Sequence, residues 1–449
     1  MNTHSKAPQD AADEVINAGW IITVDPQNRI LRNHSLVIGD GRIVDLLPSA
    51  DVQAKYPATQ LTDRSGHILM PGLINTHTHL AMNLLRGYAD DLPLMQWLQE
   101  HIWPAEGQWV NEQFVRDGTE LALAECIRSG VTCVNDMYFF PDLVAQTATT
   151  TGLRATVGLI VLDFPTVWAG HADEYISKGL DLHDSLRSNA LISTAFAPHA
   201  PYTVSREPLL RIQTLAAELE IPVHMHVHET ATEVNDFVAA NGHRPLAALD
   251  ELGLLSPSML AVHMTQLTGS EIERCAESGL HVLHCPESNM KLASGACPVS
   301  QLNNAGVNIA LGTDGAASNN DLDMFGEMRS AALLAKHHAA DATALPAESA
   351  LRMATINGAR ALGLEQTTGS LEIGKAADCI TIDCSSTSYS PMYNPVSHLV
   401  YCTDRTQVDD VWVAGKNLLR EQQFQTLDAP AIIERSQSWA DRIAGTNQT

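Results

Sequence analysis

No two cysteines in this 449-residue chain are spaced Cys-x-x-Cys. Cys126, Cys133, Cys275, Cys285, Cys297, Cys379, Cys384 and Cys402 are scattered instead. In a chain of this length that pattern predicts buried free thiols in a reducing compartment, not a disulfide scaffold. No apolar run approaches the ~18 residues of a membrane span, so no membrane partner is expected. The first residues, MNTHSKAPQDAADEV, lack a basic stretch followed by an apolar one, so no signal peptide is expected. Positive charge is scarce: 27 Lys and Arg stand against 52 Asp and Glu, a net charge of −25. Such a surface repels phosphate backbones and excludes nucleic acid as a partner. Together these absences predict a cytoplasmic protein. What is plentiful is apolar material, 45% of residues, enough for a sizeable core. The length predicts several domains, or one large barrel with an accessory piece.

Two textures alternate along the chain. Short strand-like pieces with turn punctuation fill the first part, as in VINAGWIITVD and SLVIGDGRIVDLLP. The Gly-Asp-Gly at 39–41 reads as a hairpin turn. The same texture returns near the end in ADCITIDC and VDDVWVAGKNLL, so residues 1–67 and 363–449 are expected to form one small β-sandwich. Between them, residues 68–362 alternate β-branched runs with segments whose apolar residues recur at helical spacing. The runs are Ile68–Asn75, Thr132–Asn135, Arg154–Val161, Leu191–Ala197, Pro222–Val227, Met259–Val262, His281–Leu283 and Asn308–Gly312. Eight strand–helix alternations predict an α/β fold, a (β/α)8 TIM-like barrel.

Chemistry in such a barrel sits where the strands end. His77 and His79 end run 1, His199 ends run 4, His226 and Glu229 end run 5, His263 ends run 6 and Asp314 ends run 8. Neutral imidazoles with a carboxylate suit Zn²⁺, and other divalent first-row metals are compatible. His77 and His79 reach one ion if the strand bends there, and His226 and Asp314 complete four protein ligands. The expected chemistry is a water activated towards hydroxide near neutral pH. Asp314 would hydrogen-bond it, Glu229 would shuttle the proton and His263 would orient and stabilise.

Run 5 carries three histidines at every second position, in VHMHVHET (223–230). Like-facing residues on a strand are ~6.6 Å apart along its axis, so three in a row cannot all reach one ion. His226 is therefore the expected ligand. His224 is expected one layer deeper, packed and hydrogen-bonded, and His228 past the strand end, at the rim or in a supporting role. Ser288 and Asn289 read as loop chemistry, His281 and His284 as structural, and Trp103 and Trp109 as core, interface or purine-stacking residues.

PGLINTHTH, HCPESNMKLASG, LGTDGAASNNDLDMF and GSLEIGKAADCITID together resemble the amidohydrolase superfamily, and within it the 5-methylthioadenosine/S-adenosylhomocysteine deaminases. The resemblance runs over nearly the whole chain. It implies one zinc per subunit on His77, His79, His226 and Asp314. Relatives with two metals use a carboxylated lysine after strand 4, where LISTAFAPHA has none. It implies Glu229 as proton shuttle in a His-x-x-Glu-Thr pattern, His199 as a substrate-binding residue and Glu106 as a ligand of the ribose hydroxyls, with Glu229 and Asp314 also touching substrate. The implied enzyme is a metal-dependent aminohydrolase that converts an adenine nucleoside to its inosine analogue and ammonia through hydroxide attack at C6. The substrate would be 5-methylthioadenosine, with S-adenosylhomocysteine and adenosine as further candidates. Run 3 offers only Arg154, at its start and away from the active face, to pair the carboxylate of S-adenosylhomocysteine. Barrels of this family often pair, which implies a homo-oligomer. Guanine deaminases and triazine hydrolases share much of the pattern and stay open as alternatives, as does an inactive scaffold barrel.

Overall fold

The structure, a computed structural model, describes residues 12–57 and 59–446. The expectation about a signal peptide falls largely on residues outside these. Four strands come first: β1 (Glu14–Ile22), β2 (Ile30–Gly39), β3 (Arg42–Pro48) and β4 (Gln60–Pro71). Eight follow in the middle: β5 (Leu73–Thr78), β6 (Val131–Asp136), β7 (Arg154–Val161), β8 (Ile192–Pro198), β9 (Val223–Val227), β10 (Met259–His263), β11 (His281–His284) and β12 (Asn308–Leu311). The chain ends with β13 (Cys379–Asp383), β14 (Val408–Val413), β15 (Lys416–Arg420) and β16 (Gln423–Phe424).

The middle eight form one parallel sheet in sequence order, with helices between them, as a (β/α)8 barrel requires. The outer strands form a single mixed sheet ordered β16-β15-β14-β13-β4-β1-β2-β3, so both chain ends build one unit. The expected first run, Ile68–Asn75, is divided. Ile68 and Met70 pair with β13 in the mixed sheet, and the first barrel strand begins at Leu73, beyond Gly72. Gly72 fits because a Cβ there would lie 2.1 Å from the Thr132 side chain. A continuous apolar run thus hides a change of sheet, which periodicity does not register.

Alternation packs the mixed sheet on both faces. Ile16, Ala18, Leu69, Cys379 and Trp412 point to one face, where they form a core of their own. Ile68, Met70, Ile380, Ile382, Val411 and Val413 point to the other and join the core of the barrel. All eight cysteines are free; Cys384 is half-buried and Cys402 exposed, and the rest are buried as expected. No helix among the described residues is long and apolar enough to cross a membrane.

Arg154 sits at the start of β7, away from the strand ends that matter for chemistry. It makes a two-pronged buried ion pair with Asp378, at 2.9 and 3.2 Å, and Asp378 also accepts from the Ala414 amide at 2.6 Å. The pair ties the barrel to the mixed sheet. Removing one partner leaves a buried charge without compensation. Arg154→Met is therefore expected to lower unfolding free energy by about 3–5 kcal/mol; equilibrium urea denaturation measures it, and a loss below ~1 kcal/mol would show the pair to be idle.

Candidate metal centre and active site

The barrel closes between β5 and β12, and the closing seam carries the site. The Thr76 hydroxyl donates to Leu311 O at 2.8 Å, Asn75 Nδ2 donates to Thr313 Oγ1 at 2.8 Å, and the Asp314 amide donates to His77 O at 3.0 Å. Gly312 allows this approach, since a Cβ there would lie 2.7 Å from the His77 nitrogen. The strand does bend at His79, where a 3-10 turn over Leu80–Leu85 begins. Asp136, at the end of β6, pins that bend by accepting from the Leu80 amide at 2.7 Å and the Thr78 hydroxyl at 3.0 Å.

The bend brings His77 and His79 together, with ring centroids 4.8 Å apart. One ligand atom from each of His77, His79, His226 and Asp314 lies within 4.8 Å of every other. His77 Nε2 and His79 Nε2 are each 3.2 Å from Asp314 Oδ1, and His226 Nε2 is 3.2 Å from His77 Nε2. The opposite ring nitrogens are engaged elsewhere: His79 Nδ1 with Met137 O at 2.6 Å, His226 Nδ1 with His199 O at 2.8 Å and His77 Nδ1 with His224 Nε2 at 2.9 Å. Such contacts orient an imidazole and turn its other nitrogen towards a metal. Asp314 is held the same way. Its Oδ2 accepts from Ser288 and Ser318, both at 2.7 Å, which leaves Oδ1 facing the imidazoles. Three imidazole nitrogens and one carboxylate oxygen on a common centre fit Zn²⁺.

The triplet in β9 divides as strand geometry requires. His226 joins the cluster. His224 lies outside it, hydrogen-bonded to His77. His228 is not at the rim; it is fully buried, and its Nε2 accepts from the Leu246 amide at 3.2 Å. Beyond the four, His263 donates from Nδ1 to Asn289 Oδ1 at 2.8 Å, and its Nε2 is 3.7 Å from Glu229 Oε2. His199 holds Thr203 Oγ1 through Nδ1 at 3.1 Å. His228, His263, Met264 and Asp314 all adopt positive φ, between 51° and 72°, at the ends of β9, β10 and β12. Backbone in this region is costly for non-glycine residues and gathers where side chains must be aimed.

His79, His226, His263 and Asp314 open into one cavity of about 330 Å³. Glu229, Glu106, Tyr138, His199 and Trp103 line it; Trp109 does not. Its remaining wall is mostly apolar, including Leu94, Trp97, Ile102, Phe139, Leu162 and Phe164, and no Lys or Arg is among the lining residues described. Sequence reading missed Ser288, Asn289, Ser318 and Tyr138. The signal available for Ser288 and Asn289 was their position directly after β11, on the reactive end of the barrel.

Charge in the site follows from burial and neighbours. Burial lowers His77 to about 4 and His199 to about 3, and pushes His226 and His224 well down, so all four are neutral at pH 7. Burial also acts to lower His79, but the hydrogen bond and charge of Asp314 raise it to about 9. Asp314 is desolvated too, yet His77 and His79 hold its carboxyl well below the usual range. Burial, reinforced by the charge of Asp314, raises Glu229 to about 8.

The amidohydrolase family matches residues 68–418 of the chain. A 5-methylthioadenosine/S-adenosylhomocysteine deaminase of Saccharophagus degradans is 51% identical over 96% of this chain and 97% of its own. A 5'-deoxyadenosine deaminase of Methanosarcina mazei is 41% identical over 96% and 98%. The crystal structure of an adenosine deaminase from Xanthomonas campestris with bound zinc superposes with a TM-score of 0.96, at 51% identity, over 98% of this chain and 100% of that one.

A ligand must offer a lone pair, so metal binding below pH 9 has to expel the proton from His79 Nε2. Zn²⁺ affinity of the metal-free protein is expected to rise between pH 7 and 9 and to level off above, with a proton released on binding at pH 7. Calorimetry in buffers of different ionisation heat measures the release; its absence would show that His79 is already neutral.

Proposed function

The chain belongs to the amidohydrolase family, and on that basis we propose that it is a zinc-dependent hydrolytic deaminase of adenine nucleosides, with 5-methylthioadenosine as its preferred substrate. The observation that carries this reading is the cluster of His77, His79, His226 and Asp314, of which His79, His226 and Asp314 share one mostly apolar cavity with the buried carboxyl of Glu229. These four residues would hold Zn²⁺, which lowers the pKa of a water molecule towards ~7 and so provides a nucleophile at neutral pH.

The protein's own groups do the rest. Glu229 accepts the proton of the attacking water and delivers it to the ring nitrogen next to C6, then takes the proton of the new C6 hydroxyl and passes it to the amino group. The C6–N bond breaks, ammonia leaves and the inosine analogue remains. Glu229 suits this work because its backbone is fixed and its carboxyl is not. Its amide donates to Glu233 Oε2 at 2.8 Å and its carbonyl accepts from Thr265 at 2.6 Å, while the side chain meets two long contacts, Ser294 at 3.5 Å and His263 Nε2 at 3.7 Å. Burial also raises this carboxyl above its ordinary range, so once ionised it takes up a proton readily. His263, locked by Asn289, presents an unprotonated Nε2 to the reacting centre, and Asp314 steadies it from the other side. His199 Nε2 faces the purine.

Glu106 grips the ribose, which favours a nucleoside over a bare base or a triazine. The apolar wall accommodates a methylthio group. It offers no cation to the carboxylate of S-adenosylhomocysteine, whose burial would then be costly.

Glu229→Gln is expected to lower kcat by about 10²–10⁴-fold with bound zinc unchanged; ammonia release and metal analysis on the same sample check both halves. With wild-type protein, ammonia release should be fastest from 5-methylthioadenosine, slower from adenosine and S-adenosylhomocysteine, and absent from guanine. Turnover of only guanine or a chlorotriazine would overturn the substrate reading, and failure to bind any metal would point to an inactive scaffold.

A further inference from the structure

The Tyr138 hydroxyl donates to Glu106 Oε1 at 2.7 Å inside the cavity. Among the described residues nothing donates to Tyr138 Oη in return, and Glu106 Oε2 has no hydrogen bond at all. Two oxygens with unused acceptor capacity therefore lie side by side on one wall. We propose that Tyr138 and Glu106 form a single diol-reading unit, in which Glu106 Oε2 accepts from one ribose hydroxyl and Tyr138 Oη accepts from the other. This rests on the nucleoside reading above and adds Tyr138 to it as a specificity-determining residue.

The geometry fits a cis-diol. A buried tyrosine hydroxyl keeps lone pairs after donating its proton, and a carboxylate is acceptor-only. A sugar with adjacent hydroxyls supplies the two donors that the pair lacks, whereas a bare base supplies none at that place. Burial in the cavity pushes the Glu106 carboxyl up to about 7, with the Tyr138 hydrogen bond acting against the rise, so further donors would favour its ionised form.

Tyr138 also determines where the unit stands relative to the reacting atoms. It follows Met137, whose carbonyl holds His79 Nδ1 at 2.6 Å, and Asp136, which pins the bend after His79. The phenol is thus tied by a short, buried piece of chain to the metal-ligating end of β5. Glu106 reaches it from the opposite side, on the helix Trp103–Trp109, which follows a π-helical turn over Trp97–Ile102. Such turns are rare and recur at functional sites. The Tyr138 hydroxyl is the contact that sets the carboxylate of this helix at a defined position against the barrel.

The test uses zinc-loaded wild type, Tyr138→Phe and Glu106→Gln, with 5-methylthioadenosine and its 2′-deoxy and 3′-deoxy analogues. Wild type should show a raised KM for both analogues. Tyr138→Phe should raise KM for the parent nucleoside by about five- to tenfold, the scale of one lost neutral hydrogen bond, with a smaller change in kcat. That penalty should vanish for one deoxy analogue only, and the penalty of Glu106→Gln should shrink for the other. If Glu106→Gln discriminates between the sugars and Tyr138→Phe does not, the paired unit is wrong and the nucleoside reading stands. If neither variant nor the wild type distinguishes them, the assignment of Glu106 to ribose fails as well. A fall in kcat equal for all three substrates in Tyr138→Phe would show a purely structural role and overturn the proposal; should that variant fail to fold, Glu106→Gln decides, because the pair predicts a penalty that shrinks for one deoxy analogue only, whereas a penalty that shrinks equally for both would assign both hydroxyls to Glu106 and overturn it.

Discussion

Three imidazoles and a carboxylate share one buried volume here, and they can do so only because the atoms they do not need for a metal are already bonded elsewhere. Unpaired buried polar groups are costly, and a buried charge more so. The carbonyls of Met137 and His199, the ring of His224 and the hydroxyls of Ser288 and Ser318 absorb that cost. Each also selects which atom is left facing inwards. The same contacts that make the cluster tolerable in a folded barrel make it a coordination site.

The closing seam of the barrel explains why these groups meet. β5 and β12 are the first and last strands of the parallel sheet, and they are joined by side-chain and backbone bonds around Asn75, Thr76, His77, Thr313 and Asp314. Closing the barrel therefore brings three of the four cluster residues, His77, His79 and Asp314, together. The mixed sheet supports it from the far end through the buried pair of Arg154 and Asp378 and through a shared apolar core. Left-handed backbone at His228, His263, Met264 and Asp314 shows where the strand ends are bent to aim side chains rather than to relax.

Much of the site was legible because strand and helix periods are properties of short stretches. The eight runs, the residue types at their ends and the exclusion of a three-histidine cage from VHMHVHET needed only rise and alternation. The family resemblance added roles for His199 and Glu106, and both line the cavity. The first run misled because Ile68–Asn75 is apolar throughout while its two halves belong to different sheets. Of the two places left open for His228 the rim is excluded, because a residue just past a strand can turn inwards as readily as outwards. Its positive φ carries it into the interior, onto the Leu246 amide.

By itself the sequence determined the alternating architecture, the set of metal-competent residues and the chemistry those residues can perform. These follow from periodicity and functional groups, which are local. Tertiary structure decided which nitrogen of each imidazole faces inwards, which oxygen of Asp314 faces the imidazoles and which residues restrain Glu229 and Glu106. Ser288, Asn289 and Tyr138 gain their importance from partners distant in the chain. A hydrogen bond depends on position and direction within a few tenths of an ångström, and only closure of the whole barrel sets those.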